Sequence, residues 1–185
     1  MRWTSFFTYV SVVALVAAVI SQAFGWTGGR GWFLLIWTAL LLPVSIGLFS
    51  HPMRAPAWGV FVGFWGTLAV VFLIVLQALA LSGVLEAEWT AWPLIVLGIW
   101  FVVSSGLGFG AEPFPAFVDV LGVLAGAGLI ALGVANLIDD PALLRAAGVA
   151  AAVAYVLWAF GLGWVFWSMH RTSHRFRGVA VEPRT

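Results

Sequence analysis

The sequence contains no cysteine and no lysine, and only 8% of its 185 residues are charged. Without cysteine there are no disulfides, thiolate metal sites, cysteine nucleophiles or iron–sulfur clusters. Without lysine there is no Schiff-base chemistry, retinal attachment included. Eight arginines and seven acidic residues cannot clothe a chain of this length in a polar shell. No basic run is large enough to track a phosphate backbone, so nucleic acid is not expected as a partner. Also missing are a phosphate-binding glycine loop ending in lysine, an HExxH helix, a GxSxG elbow and the paired aspartates of membrane lipid transferases. Enzyme classes gain no positive support, and no cofactor is implied.

What is abundant is apolar. Hydrophobic residues make up 63% of the chain and mean hydropathy is +1.10, whereas soluble domains run at about 45–50% apolar. Lipid must therefore solvate most of the surface. Six apolar runs stand out, Phe6–Phe24, Trp32–Phe49, Trp58–Leu81, Trp92–Phe109, Phe117–Leu137 and Ala147–Met169, each of 18–24 residues. At about 1.5 Å per residue such runs cross the roughly 30 Å hydrocarbon layer, and their all-round apolarity requires helices. The pattern predicts an all-α integral membrane protein with a six-helix transmembrane domain over 1–169 and a basic cytoplasmic tail over 170–185.

The breaks carry turn chemistry: Trp26–Gly31 is glycine-rich, Ser50–Pro56 and Gly110–Pro115 each hold two prolines, and Ser82–Thr90 holds two glutamates. Asp139-Asp140-Pro141 offers an N-cap followed by proline at the first helical position. Short loops predict antiparallel neighbours. With the N-terminus inside, Arg2, Arg54, Arg171, Arg175, Arg177 and Arg184 gather on the cytoplasmic side and only Arg30 and Arg145 lie outside, which orients both termini to the cytoplasm. Trp3, Trp32, Trp58, Trp89, Trp92 and Trp167 suit interfacial belts, while Trp65, Trp100 and Trp158 lie deeper, against other helices or lipid. The first run also carries signal-peptide features, Arg2 before it and Ser21-Gln22-Ala23 at its end, although its length favours a retained helix.

Sliding the chain by 59 residues lays the second and third helices on the fourth and fifth. Val44, Ser45, Gly47 and Leu48 fall on Val103, Ser104, Gly106 and Leu107; Pro56-Ala57 falls on Pro115-Ala116; Gln77 falls on Asn136. Three helical hairpins in parallel repeat would give this pattern, as would coincidence in so apolar a chain. Leu42-Pro43-Val44 followed by Gly47 and Leu48 resembles the Ser-Pro-Trp motif of the SPW-repeat membrane proteins, with only the proline and the later glycine matching. The second copy, Ser104-Ser105-Gly106, lacks the proline. The resemblance implies two-helix repeats and brings no chemistry with it.

Candidate sites are few. Asp119 is a carboxylate within an apolar run, where such groups tend to be functional. Its position soon after Pro115 also suits the helix dipole near the cytoplasmic interface, where it can snorkel, and this structural reading is favoured. Gln22, Gln77 and Asn136 fall near the outer ends of the first, third and fifth helices. They serve either as interhelical glue or, if they converge, as a polar layer for a solute. His170 and His174, one helical turn apart, could join His51 and Glu112 around a metal ion, but Arg171 and Arg175 between them oppose a cation. The alternative is a basic helix end in which Arg171, Arg175 and Arg177 meet anionic lipid head groups. Gly59-x-x-x-Gly63 and Gly122-x-x-x-Gly126 present smooth faces, either for packing within the monomer or for a homodimer.

The leading expectation is a non-enzymatic, transporter-like or accessory protein. The arginine-only basic set suggests a GC-rich bacterium, so the location expected is the bacterial cytoplasmic membrane. The bilayer, a second copy or other membrane subunits would be its partners. The alternatives are a solute-binding subunit or carrier, with helix count and Ala14-x-x-x-Ala18 generically like the substrate-binding subunits of vitamin transporters, and a metalloprotein or enzyme working at the cytoplasmic face.

Overall fold

In a computed structural model, residues 2–49, 56–108 and 115–177 are described. They form six α-helices: α1 (Arg2–Ala23), α2 (Thr27–Phe49), α3 (Pro56–Leu81), α4 (Ala91–Gly108), α5 (Ala116–Leu137) and α6 (Pro141–Arg177). A 3₁₀ turn at Ala87–Thr90 leads into α4, and there is no strand among the described residues. Five helices contain spans long and apolar enough to cross a membrane, and α4 offers a shorter one, Ala91–Leu107. At 1.5 Å per residue that segment reaches about 25 Å.

Two boundaries differ from expectation. The glycine-rich stretch Trp26–Gly31 is mostly not a loop, because α2 begins at Thr27. Its glycines are used for close approach: the Trp26 ring lies over Gly29, where a Cβ would collide with it. At the other end α6 starts six residues before its apolar run and continues through Arg177, eight residues into the expected tail. Polar residues beyond the apolar run extend the helix because nothing in Arg171–Arg177 breaks it. The breaks at Ser50–Ala55 and Phe109–Phe114 lie outside the described residues.

The helices form a ring. Each packs against its neighbours in the chain, and α6 returns to pack on α1. No helix pair across the ring makes backbone contact among the described residues. The centre is filled by side chains. Trp37 of α2, Phe101 of α4, and Tyr155 and Trp158 of α6 are buried together, with ring centroids 5.4 Å apart for Trp37–Tyr155, 4.8 Å for Phe101–Trp158 and 6.2 Å for Phe101–Tyr155. Edge-on geometry in these pairs adds directional attraction to packing. The outer face carries Val, Ile, Phe and Trp in exposed positions, including the belt residues Trp3, Trp32, Trp89, Trp92 and Trp167. Of the deeper tryptophans, Trp100 and Trp158 are buried and Trp65 is exposed.

One end of the ring is capped three times by the same device. α1, α3 and α5 each finish with a left-handed residue, Gly25 (φ 69°), Gly83 (φ 74°) and Asp139 (φ 52°). In each case the next N–H reaches back five residues: Trp26 to the Ser21 carbonyl, Val84 to Leu79 and Asp140 to Ala135. This Schellman closure satisfies carbonyls that a helix end otherwise orphans. Asp140 then caps α6, its Oδ1 accepting the Ala142 and Leu143 N–H groups at 2.9 and 3.0 Å, with Pro141 in the first position as expected.

Small residues set the spacing of the ring. Gly98 and Gly126 bring the α4 and α5 backbones together, so that a Cβ added at Gly126 would stand 2.5 Å from the Gly98 carbonyl oxygen. Gly122 faces Ser105 and Trp158, and Gly133 faces the Ala91 carbonyl. Gly122 and Gly126 therefore serve packing within the monomer. Gly63 is buried too, and the surroundings of Gly59 lie outside the description. Ala14 and Ala18 are buried on α1.

Candidate functional site

The capped end of the ring holds a half-open pocket of about 300 Å³, at the lower limit for small-molecule sites. Five of the six helices or their approaches line it. α2 supplies Arg30, Gly31 and Leu34; α3 supplies Gln77, Ala80 and Leu81; the 3₁₀ turn and α4 supply Thr90 and Leu94; α5 gives Leu132 and Asn136, and α6 gives Leu144. Two of the three amides singled out in the sequence thus share one cavity. Gln22 does not join them: it is exposed on α1, a helix that contributes nothing to the pocket. α1 turns Ser5, Thr8, Ser11, Ala18 and Ser21 inward, and Gln22 is rotated about 100° past Ser21.

The polar lining consists mainly of donors. Gln77 Oε1 lies 2.9 Å from Thr38 Oγ1, whose single proton serves it or the Leu34 carbonyl at 2.8 Å. With the Thr38 proton donated to its oxygen, Gln77 has its NH₂ left over. Asn136 makes no side-chain hydrogen bond among the described residues, and Arg30 brings a guanidinium, which donates and never accepts. The remaining wall is leucine and alanine. Such a cavity can hold a small molecule with an acceptor-rich head and an apolar body. Sequence reading passed over Arg30 and Thr90 as site residues. A lone arginine beside the apolar run of α2 was the available signal.

Deeper in the ring, the hydroxyls are already occupied. Ser11 Oγ and the Tyr155 hydroxyl are 2.6 Å apart, Ser5 Oγ donates to the Gly163 carbonyl at 2.9 Å, Thr8 Oγ1 donates to the Thr4 carbonyl at 2.7 Å, and Ser45 and Thr67 are 3.3 Å apart. Ser5, Thr8 and Ser11 repeat every three residues along one face of α1, a stripe legible in the sequence but not singled out there. Two buried polar atoms have no hydrogen-bond partner among the described residues, Trp37 Nε1 and Asp119 Oδ2.

Asp119 lies in the first turn of α5 and is 5% exposed, so it does not snorkel. It shares the inward face of that helix with Val118, Gly122, Ala125 and Gly126, which is why it turns into the ring. From Asn136 it is 17 residues away on the same helix, about 25 Å. It therefore belongs to the opposite end. The candidate metal ligands fall outside what is described: His51 and Glu112 lie outside the described residues, and for His170 and His174 only the helical backbone is described, as for Arg171, Arg175 and Arg177. Among the described residues no three metal-ligating side chains cluster. The chain matches no family model, no curated protein and no solved structure.

Proposed function

We propose that this protein is a non-enzymatic, solute-binding membrane protein of the carrier type, taking a small molecule with a polar head into the pocket at the capped end of its helix ring. The observation that supports this reading is the meeting of Gln77 and Asn136, from different helices, in one cavity with hydrogen-bonding capacity left open. Amides that act only as interhelical glue spend their hydrogen bonds on neighbouring helices, as the hydroxyls of α1 do, whereas Gln77 meets Thr38 through its oxygen alone and Asn136 has no side-chain partner among the described residues. All six helices span the bilayer, α4 with help from its flanking residues or a locally thinned bilayer. The arginine bias places the pocket on the outer side of a bacterial cytoplasmic membrane and both termini within. Three hairpins in parallel repeat account both for the register of Gln77 with Asn136 and for the threefold recurrence of the same helix cap.

The absence of native cysteine makes the test direct. Asn136→Cys in intact cells should react with a membrane-impermeant maleimide, and Tyr155→Cys should not. A thermal-shift screen of polar solutes on the purified protein should yield at least one stabilising compound, whose effect disappears in the Gln77→Leu, Asn136→Leu double variant. A screen without a hit, or a shift the double variant retains, overturns the reading.

A further inference from the structure

We infer that the occupant of this pocket is an amphipathic monoanion: one carboxylate or phosphate head held by Arg30, with an aliphatic body laid against the leucine wall. The inference rests on the solute-binding reading and adds the chemical class of the solute.

Three observations lead there. First, among the described residues Arg30 is the only charged one lining the cavity, and no ion pair to it occurs among the side chains described. A guanidinium offers a planar fork of donors that matches a carboxylate or phosphate, and charge-assisted bonds of this kind are roughly twice as strong as neutral ones. Second, the other open groups reinforce the same sign. With the Thr38 proton on its oxygen Gln77 keeps its NH₂, and Asn136 adds a second NH₂ beside its own carbonyl oxygen. An acceptor-only head satisfies these donors together, whereas an ammonium would face Arg30 with like charge and would meet few free acceptors. Third, Leu34, Leu81, Leu94, Leu132 and Leu144 make the rest of the wall. A small, fully polar ion such as inorganic phosphate or acetate would leave that wall against water. An aliphatic chain covers it, and the half-open form lets the chain emerge. One charge in the wall matches one charge on the ligand, which sets a monoanion above a dianion.

Free fatty acids and the head groups of anionic lipids share this chemistry. The test uses the full-length protein in phosphatidylcholine nanodiscs, with empty nanodiscs subtracted to remove partitioning. Equilibrium dialysis should show a saturable component for octanoate, at least about 10-fold weaker binding for octanamide, and none for octylamine. Arg30→Gln should weaken octanoate at least about 10-fold and leave octanamide unchanged, with Arg30→Lys between the two. Hexanoate should bind more weakly than octanoate if the leucine wall contributes. Repeating the titration in discs containing phosphatidylglycerol separates the two sources. Loss of octanoate binding there assigns the site to lipid head groups, and unchanged binding assigns it to free carboxylates; both outcomes support the anionic class. Octanamide or octylamine binding as tightly as octanoate, or octanoate binding indifferent to Arg30→Gln, overturns the anion assignment. The solute-binding reading survives that result provided Gln77→Leu with Asn136→Leu abolishes octanamide binding. Because octanoate, octanamide and octylamine are compared on the unaltered chain, the conclusion stands even if a variant fails to fold.

Discussion

The middle of the ring and its capped end both set polar side chains among apolar ones and treat the polar groups in opposite ways. In the middle, hydroxyls close on one another or on backbone carbonyls, as Ser11 does with Tyr155 and Ser5 with Gly163, and aromatic rings fill the space between helices. At the capped end, Gln77 is engaged through one atom, Asn136 is engaged by nothing among the described residues, and leucines stand back around about 300 Å³ of open volume. The contrast separates glue from site. A polar group in a membrane helix costs least when a neighbouring helix answers it, so groups left unanswered beside a cavity point to a ligand.

That contrast predicts which substitutions hurt stability and which hurt binding. The largest effect belongs to the middle. Tyr155→Ala removes a ring packed between Trp37, Phe101 and Trp158, and should lower stability in a denaturing-detergent titration by about 3–5 kcal/mol, as for large aromatic truncations in cores. Next comes the α4–α5 seam, where Gly126→Ala forces the helices apart at Gly98 and should cost about 1–3 kcal/mol in the same titration. At the capped end the pair Gln77→Leu and Asn136→Leu should behave the other way. Ligand affinity should fall at least about tenfold, while stability moves by only about 0.6 kcal/mol, for the one bond to Thr38 that is lost. Tyr155→Phe, which deletes only the hydroxyl facing Ser11, should cost about 0.6 kcal/mol, the average for such bonds between membrane helices. If the capped-end pair destabilises the fold as strongly as Gly126→Ala, the amides are glue after all and the distinction between the two regions fails.

Asp119 stands apart from both regions. It is buried like the middle and unanswered like the capped end, its Oδ2 lacking a partner among the described residues. The expectation that it snorkels to the interface was reasonable from position, since the first turn of α5 is close to that interface. The rotation of α5 decides otherwise: the small residues Gly122, Ala125 and Gly126 must face α4 and α6, and Asp119 lies on their stripe. Gln22 shows the same logic reversed. It occupies the right depth, but α1 turns Ser21 and Ala18 inward and leaves Gln22 exposed.

Composition and run length by themselves determined an all-helical chain with several spans suited to a bilayer, because 63% hydrophobic residues in stretches of 18–24 leave no other way to satisfy the backbone in lipid. Local chemistry also determined the α5–α6 corner, since Asp140 and Pro141 carry their capping roles in their own side chains. Only the tertiary structure decided that the six helices close into a ring, that Arg30 and Thr90 meet Gln77 and Asn136, and that Gln22 is left out. Apart from the hydroxyl stripe of α1, these helices are apolar on every side and carry no inward stripe to read from hydropathy. Their rotation follows from where glycines let backbones touch, and that is settled by pairs of residues far apart in the chain, such as Gly98 with Gly126.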